Sequence, residues 1–64
     1  MVNKQKDLIE QVKLAKVYSG YPYKYFAECI KVTDKSFYNW LQGQYNLSYS
    51  KAYKLEEIVA DILS

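Results

Sequence analysis

The residue types that most often carry out catalysis or bind metal ions are scarce in this chain of 64 residues. It contains no histidine, one cysteine, and seven acidic residues with no pair of carboxylates spaced for acid–base chemistry. Cys29 alone can form neither an internal disulfide nor a metal site, and a small half-buried apolar role suits it better than reactivity. We therefore predict that the protein is not an enzyme and uses no cofactor and no metal ion.

A polar set near the middle of the chain offers a different chemistry, hydrogen bonding to a large partner. In residues 34–42, Phe37, Trp40 and Leu41 share one side of a short helix. The opposite side is polar and carries Asp34, Lys35, Tyr38, Asn39 and Gln42. A short exposed helix with such a side fits the major groove of double-stranded DNA.

The residues before this helix are suited to hold it against its predecessor. Ala27 is small where two helices would cross, so their backbones can approach closely. Large apolar residues fill the wedge around it, and with Ala27 they form the core of the motif: Phe26, Ile30, Val32, Phe37 and Trp40. Thr33 is placed to cap the second of these helices, and Asp34 in its first turn would interact favourably with the helix dipole.

Four helical segments position these residues, and no segment alternates in the manner of a strand. We predict helices over about residues 4–18, 22–30, 34–42 and 49–62, from apolar residues at helical spacing. In the first helix the stripe consists of Leu8, Val12 and Ala15, and Ile9 and Leu14 widen it. In the last helix it consists of Ala52, Leu55, Val59 and Ile62, with Ile58 beside them. The predicted fold class is all-α, a compact bundle of four or five short helices in one domain over residues 1–64.

Local signals mark the helix ends. Ser19-Gly20 and Gln42-Gly43 are stop signals, since glycine commonly terminates helices. Pro22 suits the first turn of the second helix, where its missing N–H is not needed. Ser48 is placed to cap the last helix, although Lys51 stands where a capping-box acid would serve better.

The stretch from Phe26 to Gly43, FAECIKVTDKSFYNWLQG, resembles the helix-turn-helix of the phage repressor and Cro family (XRE-type). Members of that family show an apolar residue followed by Ala, a Gly-Val-Ser/Thr turn, an aliphatic residue, a Trp and a closing Gly. The match covers about a third of the chain, and the helices before and after it fit the family's small bundle. The whole chain is similar to short proteins of phages and mobile elements in low-GC Gram-positive bacteria.

Three positions depart from the family pattern. Lys31 stands where the family has its turn glycine, which often has a positive φ, so either this lysine would carry strain of about 1 kcal/mol or the turn would differ slightly. Phe37 replaces a smaller aliphatic residue. No arginine is available on the polar side of the helix, so guanine, which Arg most often contacts, would have to be contacted by other residues.

The resemblance implies a transcriptional regulator, and it implies roles for individual residues. Asp34, Lys35, Tyr38, Asn39 and Gln42 would face base edges, with Asn39 pairing with adenine and Lys35 with guanine. Asp34 could accept from cytosine or serve only the helix end, and Asn39 could be merely solvated. The candidates for contacts to phosphate are Tyr23, Lys24, Thr33, Ser36, Gln44 and Tyr45.

Eight tyrosines leave a second class of partner open. Tyr45, Tyr49 and Tyr53 recur every four residues and could form an aromatic stripe, and Tyr21, Tyr23 and Tyr25 would add more exposed rings. Such a stripe could bind a host protein, as an antirepressor or nuclease inhibitor would, or it could join two copies of the chain. We expect a weak homodimer through the last helix or the loop before it, because helix-turn-helix regulators usually occupy two half-sites.

Charge and size restrict the other partners. The net charge is +2, with six lysines against three acids in residues 1–32 and three against four in residues 33–64; this permits nucleic-acid binding without requiring it. The apolar runs are too short for a membrane span, and the polar residues 1–7 do not resemble a signal peptide, so we expect a cytoplasmic protein without a membrane partner. So small a core also leaves no room for a small-molecule pocket.

Overall fold

Apolar residues at helical spacing fold this chain into four helices, and the computed structural model describes residues 5–64. The helices are α1 (Lys6–Ser19), α2 (Tyr23–Cys29), α3 (Asp34–Leu41) and α4 (Tyr49–Leu63). No strand occurs among the described residues, so the predicted all-α class is confirmed. The start that we predicted for α1, near residue 4, lies outside the described residues; every other bound is within one residue of its prediction.

The helices pack as two pairs around one core. α1 lies mainly against α4, and α2 lies mainly against α3. One apolar cluster joins the pairs, and its largest fully buried members are Trp40, Phe26, Phe37, Leu55, Val12 and Val59. None of the four helices in the described part of the chain combines the length and the apolar character needed to cross a membrane.

Three members of the predicted apolar stripes are less buried than expected. Leu14 was predicted to widen the core side of α1, but it is 61 % exposed because it lies on the opposite side of that helix from Val12 and Ala15. Ile58 and Ile62 pack only partly against the core. The core side of α1 is therefore narrower than its sequence indicates, and part of its outer side is apolar.

The helix ends follow local chemistry with two exceptions. Gly20 ends α1 in the left-handed region at φ 82°, as its type predicts. Pro22, however, lies at the N-cap of α2 in an extended conformation, one residue before the position that we predicted. Ser48 occupies the N-cap of α4, yet its side chain makes no capping hydrogen bond, so the predicted side-chain cap is wrong.

Candidate nucleic-acid interface

The connection between α2 and α3 is a tight, hydrogen-bonded turn. The N–H of Lys31 donates to the carbonyl of Glu28 at 3.2 Å, and the N–H of Val32 donates to the carbonyl of Ala27 at 3.0 Å. This pair of bonds is the Schellman pattern, which requires a left-handed residue directly after the helix cap. Lys31 is that residue, with φ 61°, and it is the only residue other than glycine with positive φ in the described chain. The positive φ expected at this position is therefore present.

Thr33 sets the start of α3. Its Oγ1 accepts a hydrogen bond from the backbone N–H of Ser36 at 3.1 Å, as expected of an N-cap threonine. The hydroxyl proton of Thr33 is still available to donate to a ligand. Asp34 follows in the first helical turn, where its negative charge interacts favourably with the helix dipole.

α3 has one buried side and one exposed polar side. Phe37 and Trp40 are buried in contact with each other, with ring centroids 5.4 Å apart, and Phe37 also lies 6.1 Å from the ring of Tyr23. These contacts fix the rotation of α3 about its axis. The predicted base-contacting residues all keep access to solvent: Asp34, Lys35, Tyr38 and Gln42 are exposed, and Asn39 is half-buried.

The predicted core of the motif is largely buried. Five of its members are in the main cluster: Phe26, Ala27, Ile30, Phe37 and Trp40. Val32 differs, because it is half-buried and packs against the edge of that cluster. Ala27 is fully buried, as expected for a small residue where helices approach closely.

An open hollow of about 360 Å³ lies between the beginnings of α2 and α3. It brings two predicted phosphate contacts together with three predicted base contacts, and its lining is Tyr23, Lys24, Asp34, Lys35, Phe37 and Tyr38. The Lys16 ammonium lies 5.1 Å from the centre of the Tyr23 ring and holds that ring from the side of α1. Two lysines and one aspartate give the hollow a net charge of +1, which suits an anionic group.

The other end of α3 is braced by its own loop. Gly43 has φ 82°, and the N–H groups of Gly43 and Gln44 donate to the carbonyls of Trp40 and Asn39. The Tyr45 hydroxyl donates to the Ser36 carbonyl at 2.7 Å. The proton that Tyr45 would offer to a phosphate is therefore engaged within the protein, and this part of the predicted phosphate set lies apart from the hollow.

Gln5 is a positioning residue that no pattern in the sequence predicted. Its Oε1 accepts from the Trp40 indole N–H at 2.6 Å and from the Leu47 N–H at 2.7 Å, while its Nε2 donates to the Leu47 carbonyl at 2.9 Å. One amide thereby joins the start of α1 to α3 and to the loop before α4. The sequence gives only indirect evidence for this role of Gln5, namely that a buried tryptophan needs a hydrogen-bond acceptor for its indole N–H.

Lys51 is a second missed residue. Its ammonium donates to the carbonyl of Ile30 at 3.2 Å, at the carboxyl end of α2. A cation there satisfies a carbonyl that the helix leaves unpaired and interacts favourably with the dipole. Lys51, whose type does not suit a capping box, therefore links α4 to the turn between α2 and α3.

Residues 5–64 contain no group of His, Cys, Asp and Glu residues able to hold a metal ion. Cys29 is half-buried, and its hydrogen bond with the Tyr25 hydroxyl raises the pKa of that tyrosine above its usual range. Comparison with protein-family models, curated proteins and solved structures finds no match to this chain.

Proposed function

We propose that this protein is a sequence-specific regulator of transcription that binds double-stranded DNA with α3 in the major groove, in the manner of phage repressor and Cro proteins. The observation that carries the proposal is that α3 has one buried apolar side and one exposed polar side. Its apolar side is held by Phe37 and Trp40, and its polar side faces solvent next to a lysine-lined hollow.

The roles follow from the chemistry of the exposed groups. The Asn39 amide suits adenine, which offers one donor and one acceptor in the major groove, and Lys35 suits the two acceptors of guanine. Lys24 and Tyr23 would hold a phosphate at the hollow, and the Thr33 hydroxyl would contact the same strand. The main role of Asp34 is its favourable interaction with the helix dipole, because a carboxylate close to phosphates opposes DNA binding.

A single α3 presents few base-contacting groups, so we propose that two copies act together. Dimers of this type occupy half-sites about 34 Å apart, one turn of DNA, and the operator then has twofold symmetry. A weak dimer is sufficient, because binding to DNA adds the affinity of both half-sites.

The first test is selection from random duplex DNA at two salt concentrations, followed by sequencing. We expect a short, roughly palindromic site whose affinity falls as salt rises, because phosphate contacts release counterions. Against that site, Asn39→Ala and Lys35→Ala should each weaken binding by about 1–3 kcal/mol without loss of folding. Gln11→Ala removes an exposed amide on α1 and should leave binding unchanged. Failure to enrich any site, or neutral behaviour of both α3 variants, would contradict the proposal.

A second candidate is a protein-binding function on the tyrosine-rich surface of α4. Tyr49 and Tyr53 are 88 % and 58 % exposed, and tyrosine is enriched at protein interfaces. Tyr45 is less free than these two residues to contact a partner, because its hydroxyl donates a hydrogen bond to the Ser36 carbonyl. If no DNA sequence is enriched, loss of a captured host protein on Tyr49→Ala and Tyr53→Ala would favour this alternative.

A further inference from the structure

α1 has a second apolar side that nothing in the described chain covers. Its inner side places Leu8, Val12 and Ala15 in the core. On the opposite side, at spacings of three and four residues, Leu14, Val17 and Tyr18 are 61 %, 82 % and 75 % exposed. A helix that is apolar on both sides is normally covered on both sides.

Two further exposed rings follow α1, one on the connection to α2 and one on α2 itself. The Ser19 hydroxyl accepts from the N–H of Tyr21 at 3.1 Å and holds Tyr21 at the end of α1. The rings of Tyr21 and Tyr25 then stack with their centroids 4.3 Å apart, and both remain exposed. We name the resulting surface the α1 face, and it consists of Leu14, Val17, Tyr18, Tyr21 and Tyr25.

The area of the α1 face matches one half of a standard interface. With about 150–250 Å² for a whole tyrosine, the three partly exposed rings offer roughly 300 Å² of apolar surface. Leu14 and Val17 add roughly 150 Å² on the same scale. A stable interface takes about 800 Å² from each partner, a little over half of it apolar. The α1 face therefore suffices as the apolar part of such an interface.

We propose that the α1 face is where two copies of this chain associate through a twofold axis. A twofold interface sets a surface against itself, so a strong charge of one sign would repel its own copy. The exposed charges that precede the α1 face on the same helix are balanced, with Lys6 and Lys13 against Asp7 and Glu10. On α4, by contrast, three exposed acidic residues, Glu56, Glu57 and Asp61, outnumber the one exposed lysine, Lys54. The choice of a second copy as occupant rests on the proposed function, which requires two half-sites.

Sedimentation of the full chain without DNA, over a wide concentration range, tests this proposal. We expect a reversible dimer with a dissociation constant of about 1–100 µM, the weak end for an interface of this size. Val17→Lys puts a charge at the most exposed residue of the α1 face and should raise that constant by about tenfold or more. Tyr53→Lys makes a matched change on α4 and should leave it unchanged. Circular dichroism verifies folding, and Tyr18→Gln replaces Val17→Lys if that variant is unfolded.

Two results would overturn the proposal. One is a wild-type chain that stays monomeric at every concentration, which would leave the α1 face to a different protein. The other is a dimer that Tyr53→Lys dissociates and Val17→Lys does not. Because no DNA is present, neither result depends on whether the protein binds an operator, and the α3 variants test that separately.

Discussion

Lys31 holds a conformation that its side chain disfavours. At φ 61° its Cβ lies close to backbone, which costs about 1–2 kcal/mol relative to glycine, although glycine loses more entropy on folding. Lys31→Gly should therefore raise the free energy of unfolding by up to about 1 kcal/mol, as measured by urea denaturation.

Gly20 supplies the matched control for that prediction. It has φ 82°, and a Cβ added there would meet no atom within 4 Å, so Gly20→Ala tests backbone conformation without steric clash. We expect it to lower stability by about 1 kcal/mol. A Lys31→Gly protein less stable than the wild type would show that the entropy of the unfolded chain outweighs the strain in the turn.

Gln5 satisfies two donors that the surrounding structure partly buries. In Gln5→Ala, the Trp40 indole N–H and the Leu47 N–H lose their acceptor, and each loss costs about 1–3 kcal/mol where water cannot replace it. We expect the free energy of unfolding to fall by about 2–4 kcal/mol in urea denaturation. Gln11→Ala, at an exposed glutamine of the same helix, should change it by no more than about 0.5 kcal/mol. Equal stabilities for the two variants would show that the Gln5 bonds contribute nothing net.

At the scale of the helices, one side of α3 is buried and supports folding, and the other is the side that we propose binds DNA. Trp40 is fully buried, so Trp40→Ala should lower stability by about 3–5 kcal/mol. A domain of this length has about 3–10 kcal/mol in total, so this loss should remove a large part of its stability in urea denaturation. Tyr38→Ala, on the exposed side of the same helix, should change the free energy of unfolding by no more than about 0.5 kcal/mol. Equal stabilities for Trp40→Ala and Tyr38→Ala would contradict this division of α3.

The elements that could be predicted from sequence are those whose signals are local. Periodic apolar residues indicated all four helices, while Gly20, Thr33 and Gly43 marked ends that depend on adjacent backbone only. The glycine-like turn position was likewise predictable at Lys31, because the resemblance concerns a contiguous segment.

The predictions that failed depend on contacts between distant parts of the chain. Leu14 has the helical type and spacing of a core residue, but whether it is buried depends on where the neighbouring helices lie. Gln5 bonds to residues 35 and 42 positions away, and Lys51 to one 21 positions away. No local pattern encodes such partners. The same limit applies to the candidate site, where the exposed residues of α3 were predictable but the hollow they share with Tyr23 and Lys24 was not.

At the scale of the whole molecule, the modest net charge of +2 limits how strongly DNA phosphates can be bound. Only Lys24 and Lys35 line the hollow, and Lys16 lies beside it over Tyr23. Because Lys35 is assigned to guanine, Lys24 and Lys16 leave about two neutralised phosphates per chain, which give a slope of roughly −1.8 for log K against log salt concentration. We expect this shallow slope for one chain on a half-site, measured by fluorescence anisotropy.

Removing one of these lysines tests whether the hollow holds a phosphate. If Lys24 contacts a phosphate as proposed, Lys24→Gln should make the slope shallower by about 0.9 and weaken binding alike on every sequence. Lys54→Gln removes an exposed lysine of α4 that does not line this hollow and should leave the slope unchanged. Equal slopes for the wild type and Lys24→Gln would mean that the hollow holds no phosphate. A slope that Lys54→Gln alone reduces would mean instead that DNA lies across α4, because counterion release reports only the lysines close to the duplex.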